Sequence, residues 1–141
     1  VQDARHGVAI DQKALVEAFP SSFLGLMIDN PEHLSAWRGD RSDTFFRHLA
    51  ATGGFSVLME CLLPGRRLTL NPSAIINHDD RAAFVCALTA LCVAAGQFVA
   101  VGDEDGWIVL PPRAFIRSPQ WNLLGLNAEN EPLGSLHEAL A

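Results

Sequence analysis

The densest run of polar side chains is Asn77-His78-Asp79-Asp80-Arg81. His78 could act as a general base there, with Asp79 and Asp80 orienting it or holding a metal ion. The same residues also read as a helix start. Asn77 would cap free N–H groups, and the two acids would face the positive end of the helix dipole. Consecutive helical residues point in different directions, so His78, Asp79 and Asp80 do not converge on one ion. Capping is the simpler account.

A second candidate gathers Arg41, His48, His78 and Asp79 into a small-molecule or catalytic pocket. These residues are distant in sequence, and only the fold can decide whether they meet. The third candidate is Asp103-Glu104-Asp105, followed closely by Trp107. It lacks the alternating acidic frame and distal Glu of a calcium loop. As a solvated hairpin tip it would instead offer an electronegative contact to a basic protein, with Trp107 as an aromatic anchor.

Recognisable catalytic signatures are missing: there is no nucleophile elbow, P-loop, zincin helix or dinucleotide glycine fingerprint. The five histidines have no metal-ligand spacing. Cys61, Cys86 and Cys92 are an odd count without a C-x-x-C pair, which points to free thiols in a reducing, cytoplasmic setting. No metal, disulfide or cofactor is expected.

The net charge of −6 is uneven, with −4 of it carried by residues 82–141. Nucleic acid and anionic membranes need clustered cations, so both are excluded as partners. A recognition helix followed by a wing is excluded for the same reason: Ala82–Ala95 has no basic residue and the next turn is triply acidic. Nine of the ten basic residues are arginine, a bias expected of a GC-rich bacterial genome. Residues 82–101 carry no charge over a membrane-spanning length, but Gly96 and Gln97 interrupt them and no basic flank follows. A core helix running into a buried strand is the better reading.

Local signals place the elements. Asp11, with Ile10 and Leu15 around it, opens one helix; Asn30-Pro31-Glu32 opens a second, with Leu34 and Trp37 on one face. Ser42-Asp43 opens a third, which Gly53-Gly54 stops. The longest helix runs from about 79 to 95. It is apolar on every side, so it is expected to be covered on every side. Strands are predicted at 55–60 and 66–70 around a Pro64-Gly65 turn, and at 98–101 and 107–110 around a turn whose glycines adopt positive φ. Short edge strands are predicted at 114–117 and 121–126, and a last helix carries Leu133, Leu136 and Leu140.

These signals predict one α+β domain over residues 1–141. A mostly antiparallel sheet of four to six strands would carry helices on one face, around the central apolar helix. The functional expectation is a non-catalytic protein-binding module, an adaptor, dedicated chaperone or inhibitor of a basic partner. Asp103, Glu104, Asp105 and Trp107 would form its contact. The alternative is a small-molecule binder or small enzyme with the Arg/His/Asp-lined pocket.

Overall fold

The computed structural model describes residues 16–34, 39–103, 105–130 and 134–140. The expected helix start at Asp11 and the side chain of Trp37 lie outside these residues, as do Glu104 and Leu133. The described elements run β1 (Glu17–Ala18), α1 (Pro20–Leu26), α2 (Pro31–Leu34), α3 (Arg41–Thr52), α4 (Gly54–Leu62), α5 (His78–Ala94), β2 (Phe98–Asp103), β3 (Gly106–Leu110), α6 (Ser118–Asn130) and β4 (Ser135–Ala139).

The fold is α+β, and its sheet has the order β1-β3-β2-β4. β2 pairs antiparallel with both β3 and β4, while two-residue β1 pairs parallel with β3. Side chains alternate across this sheet. Phe98, Ala100 and Val109 enter a large core with α1, α3, α4 and α5; Val99, Leu110 and Leu136 enter a smaller one with Trp121 and Ala128 of α6. Helices therefore cover both faces, rather than the one expected. The sequence carries the reason: Phe98–Val101 and Trp107–Leu110 are continuous apolar runs, as strands buried on both sides require.

Capping chemistry sets the main helix starts. Asn77 Oδ1 accepts from the backbone N–H groups of Asp79 (2.8 Å) and Asp80 (3.2 Å), as expected. The start of α3 falls slightly earlier than expected, because Asp40, not Ser42, accepts from the N–H groups of Ser42 and Asp43. Gly53 closes α3 in the left-handed conformation at φ +79°. It also turns the chain directly into α4, so the expected strand at 55–60 is a helix. Its buried residues Phe55, Leu58, Met59 and Leu62 follow a helical period. Phe46, Phe55 and Phe84 meet there with centroid separations of 4.9–5.7 Å, binding α3, α4 and α5 together.

Helix α5 buries Val85, Leu88, Thr89 and Cys92 on one side. The other side, with Ala83, Cys86, Ala87 and Ala90, is exposed, so the helix is not covered all round. Its apolar uniformity conceals a size pattern: bulky groups face inward, and small ones that present little apolar area face water. Leu91 is only half-buried.

Three further expectations change. Residues 66–70 form no strand, although Gly65 makes the predicted turn at φ +79°. Residues 113–115 form a single 3-10 turn, and Trp121–Leu126 lies within α6. The C-terminal segment is strand β4 instead of a helix, because the outer edge of β2 offers it a row of backbone partners. β1 and α1 are not among the expected elements; α1 opens on Pro20 without a side-chain cap. No helix among the described residues is long and apolar enough to cross a membrane.

Candidate functional site

The β2–β3 hairpin is tighter than its five-residue sequence gap suggests. Asp103 pairs with Gly106, leaving only residues 104 and 105 to turn the chain. Neither Gly102 nor Gly106 has positive φ. Gly102 is required by close approach instead: a Cβ there would lie 2.0 Å from the Gly106 carbonyl oxygen and 2.9 Å from Trp107 Cα. Asp103 Oδ1 accepts the Asp105 N–H at 2.9 Å, so one of the acids also holds the turn. Trp107 is half-buried and packs against the larger core, leaving part of its surface beside the acidic tip.

On the opposite sheet face, the same hairpin forms one wall of an open cleft of about 520 Å³. Val101, Ile108 and Leu110 make its floor; Gly25, Leu26 and Phe45 close one side, and Leu124 and Gln120 of α6 the other. The cleft exists because α6 covers the sheet as far as Val99 and Leu136 but leaves Val101 and Ile108 half-buried. Ser21, Ser22, Pro31, Glu32 and Arg41 complete the lining. Leu123 and Leu126, which do not line the cleft, stand 58% and 57% exposed elsewhere on α6. The floor pair Val101–Ile108 is two residues from the Asp103–Gly106 pair. At about 3.3 Å of rise per residue, acidic tip and apolar cleft are roughly 7 Å apart on one hairpin.

Gln120 is the unusual group in this cleft. Its Oε1 is buried and has no hydrogen-bond partner among the described residues. The same side chain also lines a more polar hollow formed with Asp29, Asn30, Arg117 and Ser118. Gln120 is thus a polar junction between two concave surfaces. In the sequence it falls between the short strands predicted at 114–117 and 121–126, where nothing marks it; helix α6 brings it to the cleft.

The residues of the alternative pocket do not come together. Arg41 lines the cleft, whereas His48 lines a separate hollow with His33, Leu49 and Thr52. His78 instead meets Asp43, its Nδ1 lying 3.0 Å from Asp43 Oδ2. Asp79 is exposed beside it. Arg81 lies 3.3 Å from Asp43 Oδ1 and donates from Nε to the Ile75 carbonyl at 2.9 Å, with its guanidinium over the Phe46 ring. Asp43 raises the pKa of His78 by hydrogen bond and by charge, and Asp40 and Asp79 add to it.

Asp40, Asp43 and His78 each offer a ligand atom within 4.8 Å of the others. Their donors, however, are already used: Asp40 caps α3, and Asp43 is shared between Arg81 and His78. A cation would have to displace these bonds and sit beside a guanidinium. The cluster is better suited to clamp the starts of α3 and α5 together. All three cysteines are free; burial pushes the Cys92 thiol up to about 12, while Cys86 is exposed.

No family model matches the chain, and neither a curated protein nor a solved structure matches it.

Proposed function

We propose that this domain is a non-catalytic protein-binding module that takes an apolar segment of a basic partner along its β2–β3 hairpin. The observation that carries this reading is the continuity of apolar cleft and acidic tip on that hairpin. The tip carboxylates would steer a basic partner into encounter, and the half-buried Ile108 and Val101 would hold its apolar side chains. Trp107 flanks the tip from the other sheet face and would contact the partner at the rim. Free thiols and the net charge of −6 support a reducing, cytoplasmic setting and a basic partner.

The test begins with the partner that co-purifies stoichiometrically from the native cell. Association and dissociation rates are then measured for three variants: Asp103, Glu104 and Asp105 together→Ser; Ile108→Ala; and Trp107→Ala. The triple variant should associate more slowly and lose salt dependence, whereas Ile108→Ala should dissociate faster. Parent-like rates in both would refute the reading. A loss confined to Trp107→Ala would place the partner on the opposite sheet face.

A further inference from the structure

The cleft carries Arg41 and two serine hydroxyls at one end, and the acidic turn lies beyond the other. From this polarity we infer that the partner segment is a C-terminal tail whose free carboxylate is taken by Arg41. The inference rests on the protein-binding reading above and states which part of the partner enters, and in which direction.

The course of the chain places the two ends. β1 runs parallel to β3, away from the acidic turn, and stops with Ala18 opposite Val109. Ser21 follows closely, so α1 starts at the end of the cleft far from that turn. α3 lies beside α1 and runs in the same direction. A Cβ on Gly25 would lie 3.1 Å from the Phe45 ring, and farther along both helices His48 and Leu49 share a hollow with Met27 and Ile28. Arg41 stands one turn before Phe45, as Ser21 stands one turn before Gly25 and Ser22 one turn before Leu26. The cation and the two hydroxyls therefore border the same end. Arg41 is exposed and pairs with no carboxylate among the described residues. Glu32, the one carboxylate on the described lining, also borders the hollow with Asp29 and Asn30, past the opposite end of α1.

This charge pattern selects the occupant. A guanidinium beside hydroxyls suits a planar carboxylate. Next to it, Leu110, Ile108 and Val101 offer an apolar floor. Leu110 lies about 13 Å from the acidic turn, at about 3.3 Å per residue along β3. A chain end meets all three features at once: its carboxylate on Arg41, its last apolar side chains on the floor, and a basic residue about four positions upstream beside Asp103 and Asp105. A free fatty acid would leave the acidic turn unused.

The probe is a pair of random peptide libraries displayed on phage and selected on the intact chain, one with free C-termini and one with C-termini closed by fusion. Enriched peptides are synthesised with an acid or an amide end. Affinities and thermal midpoints are measured for the parent, Arg41→Gln, Ile108→Ala and the combined Asp103→Ser and Asp105→Ser variant. The free-ended library should enrich peptides with apolar last residues and a basic residue upstream. Amidation should weaken binding to the parent about tenfold, and cost nothing further in Arg41→Gln. Because a cation in the first turn of α3 opposes the helix dipole, Arg41→Gln should leave the midpoint unchanged or raised. Equal affinity of acid and amide, an amidation cost that persists in Arg41→Gln, a lowered midpoint or enrichment from the closed library alone would overturn the C-terminal assignment. Enriched peptides that bind Ile108→Ala and the Asp103→Ser and Asp105→Ser variant like the parent, or no enrichment from either library, would instead overturn the protein-binding reading itself.

Discussion

The two faces of the sheet differ in how completely they are closed. Among the described residues, sixteen buried ones, from α1 and the turn after it, α3, α4, α5 and the strands, fill one face, while six form the core under α6. The same strands supply both. Phe98, Ala100 and Val109 are sealed, but Val101 and Ile108, only a residue or two away, are only partly buried. Apolar residues left half-covered beside a well-packed core suit association with another molecule better than folding alone, and here the half-covered end adjoins the acidic turn.

This contrast can be broken most sharply by truncating each face. On the closed side, Leu58 is fully buried and Leu88 is 3% exposed. Leu58→Ala and Leu88→Ala are each expected to cost about 2–5 kcal/mol, read as a fall in the urea midpoint. A parent-like midpoint for Leu88→Ala would place α5 outside the load of the core. Next in size is Gly102→Ala, whose new methyl would meet the Gly106 carbonyl oxygen at 2.0 Å. Backbone must move to relieve that contact, so about 1–3 kcal/mol should be lost in the same titration. No loss would show that the hairpin has a looser alternative.

Smaller effects sharpen the picture. Asn77→Ala removes the acceptor for two N–H groups at the start of α5 and should lower stability by about 1 kcal/mol in thermal denaturation. On the open face, Val101→Ala should cost less than Leu58→Ala, about 1 kcal/mol, because Val101 is only partly buried. An effect as large as that of Leu58→Ala would mean that the cleft wall belongs to the folding core.

The smallest effect is expected at exposed His78. Its folded pKa is raised above 6.5, chiefly by the Asp43 hydrogen bond and charge. Protonated His78 therefore stabilises the fold fully below 6.5, and that contribution disappears as pH rises through the folded pKa. The stability difference between the parent and His78→Asn should shrink over that interval; a constant difference would separate His78 from the clamp. Asp40 acts in the opposite direction. Its pKa is lowered below 3.8, first by the Ser42 hydroxyl, so its contribution is present above 3.8 and is lost as pH falls through the folded value.

Local chemistry was legible in the sequence wherever one side chain decides one backbone feature. Asn77 announces the start of α5, Gly53 the end of α3, Gly65 a turn, and the three acids flanked by glycines a hairpin. The helical stripe Phe55, Leu58, Met59 and Leu62 was also present but was overridden by its β-prone residues. Ser118-Pro119 similarly marks the start of α6, with Trp121, Gly125 and Ala128 on its inner side.

Other features required the fold. Leu136 and Leu140 suit a helix as well as a strand, and the unpaired edge of β2 selected the strand. His78 found Asp43, thirty-five residues away, rather than its neighbour Asp79. The cleft was hidden for the same reason, since its walls come from α1, α2, α3, β2, β3 and α6. The sequence alone determined the caps, turns and apolar composition because those act over a few bonds. The tertiary structure decided which apolar residues stay uncovered, because that depends on where distant helices stop covering the sheet.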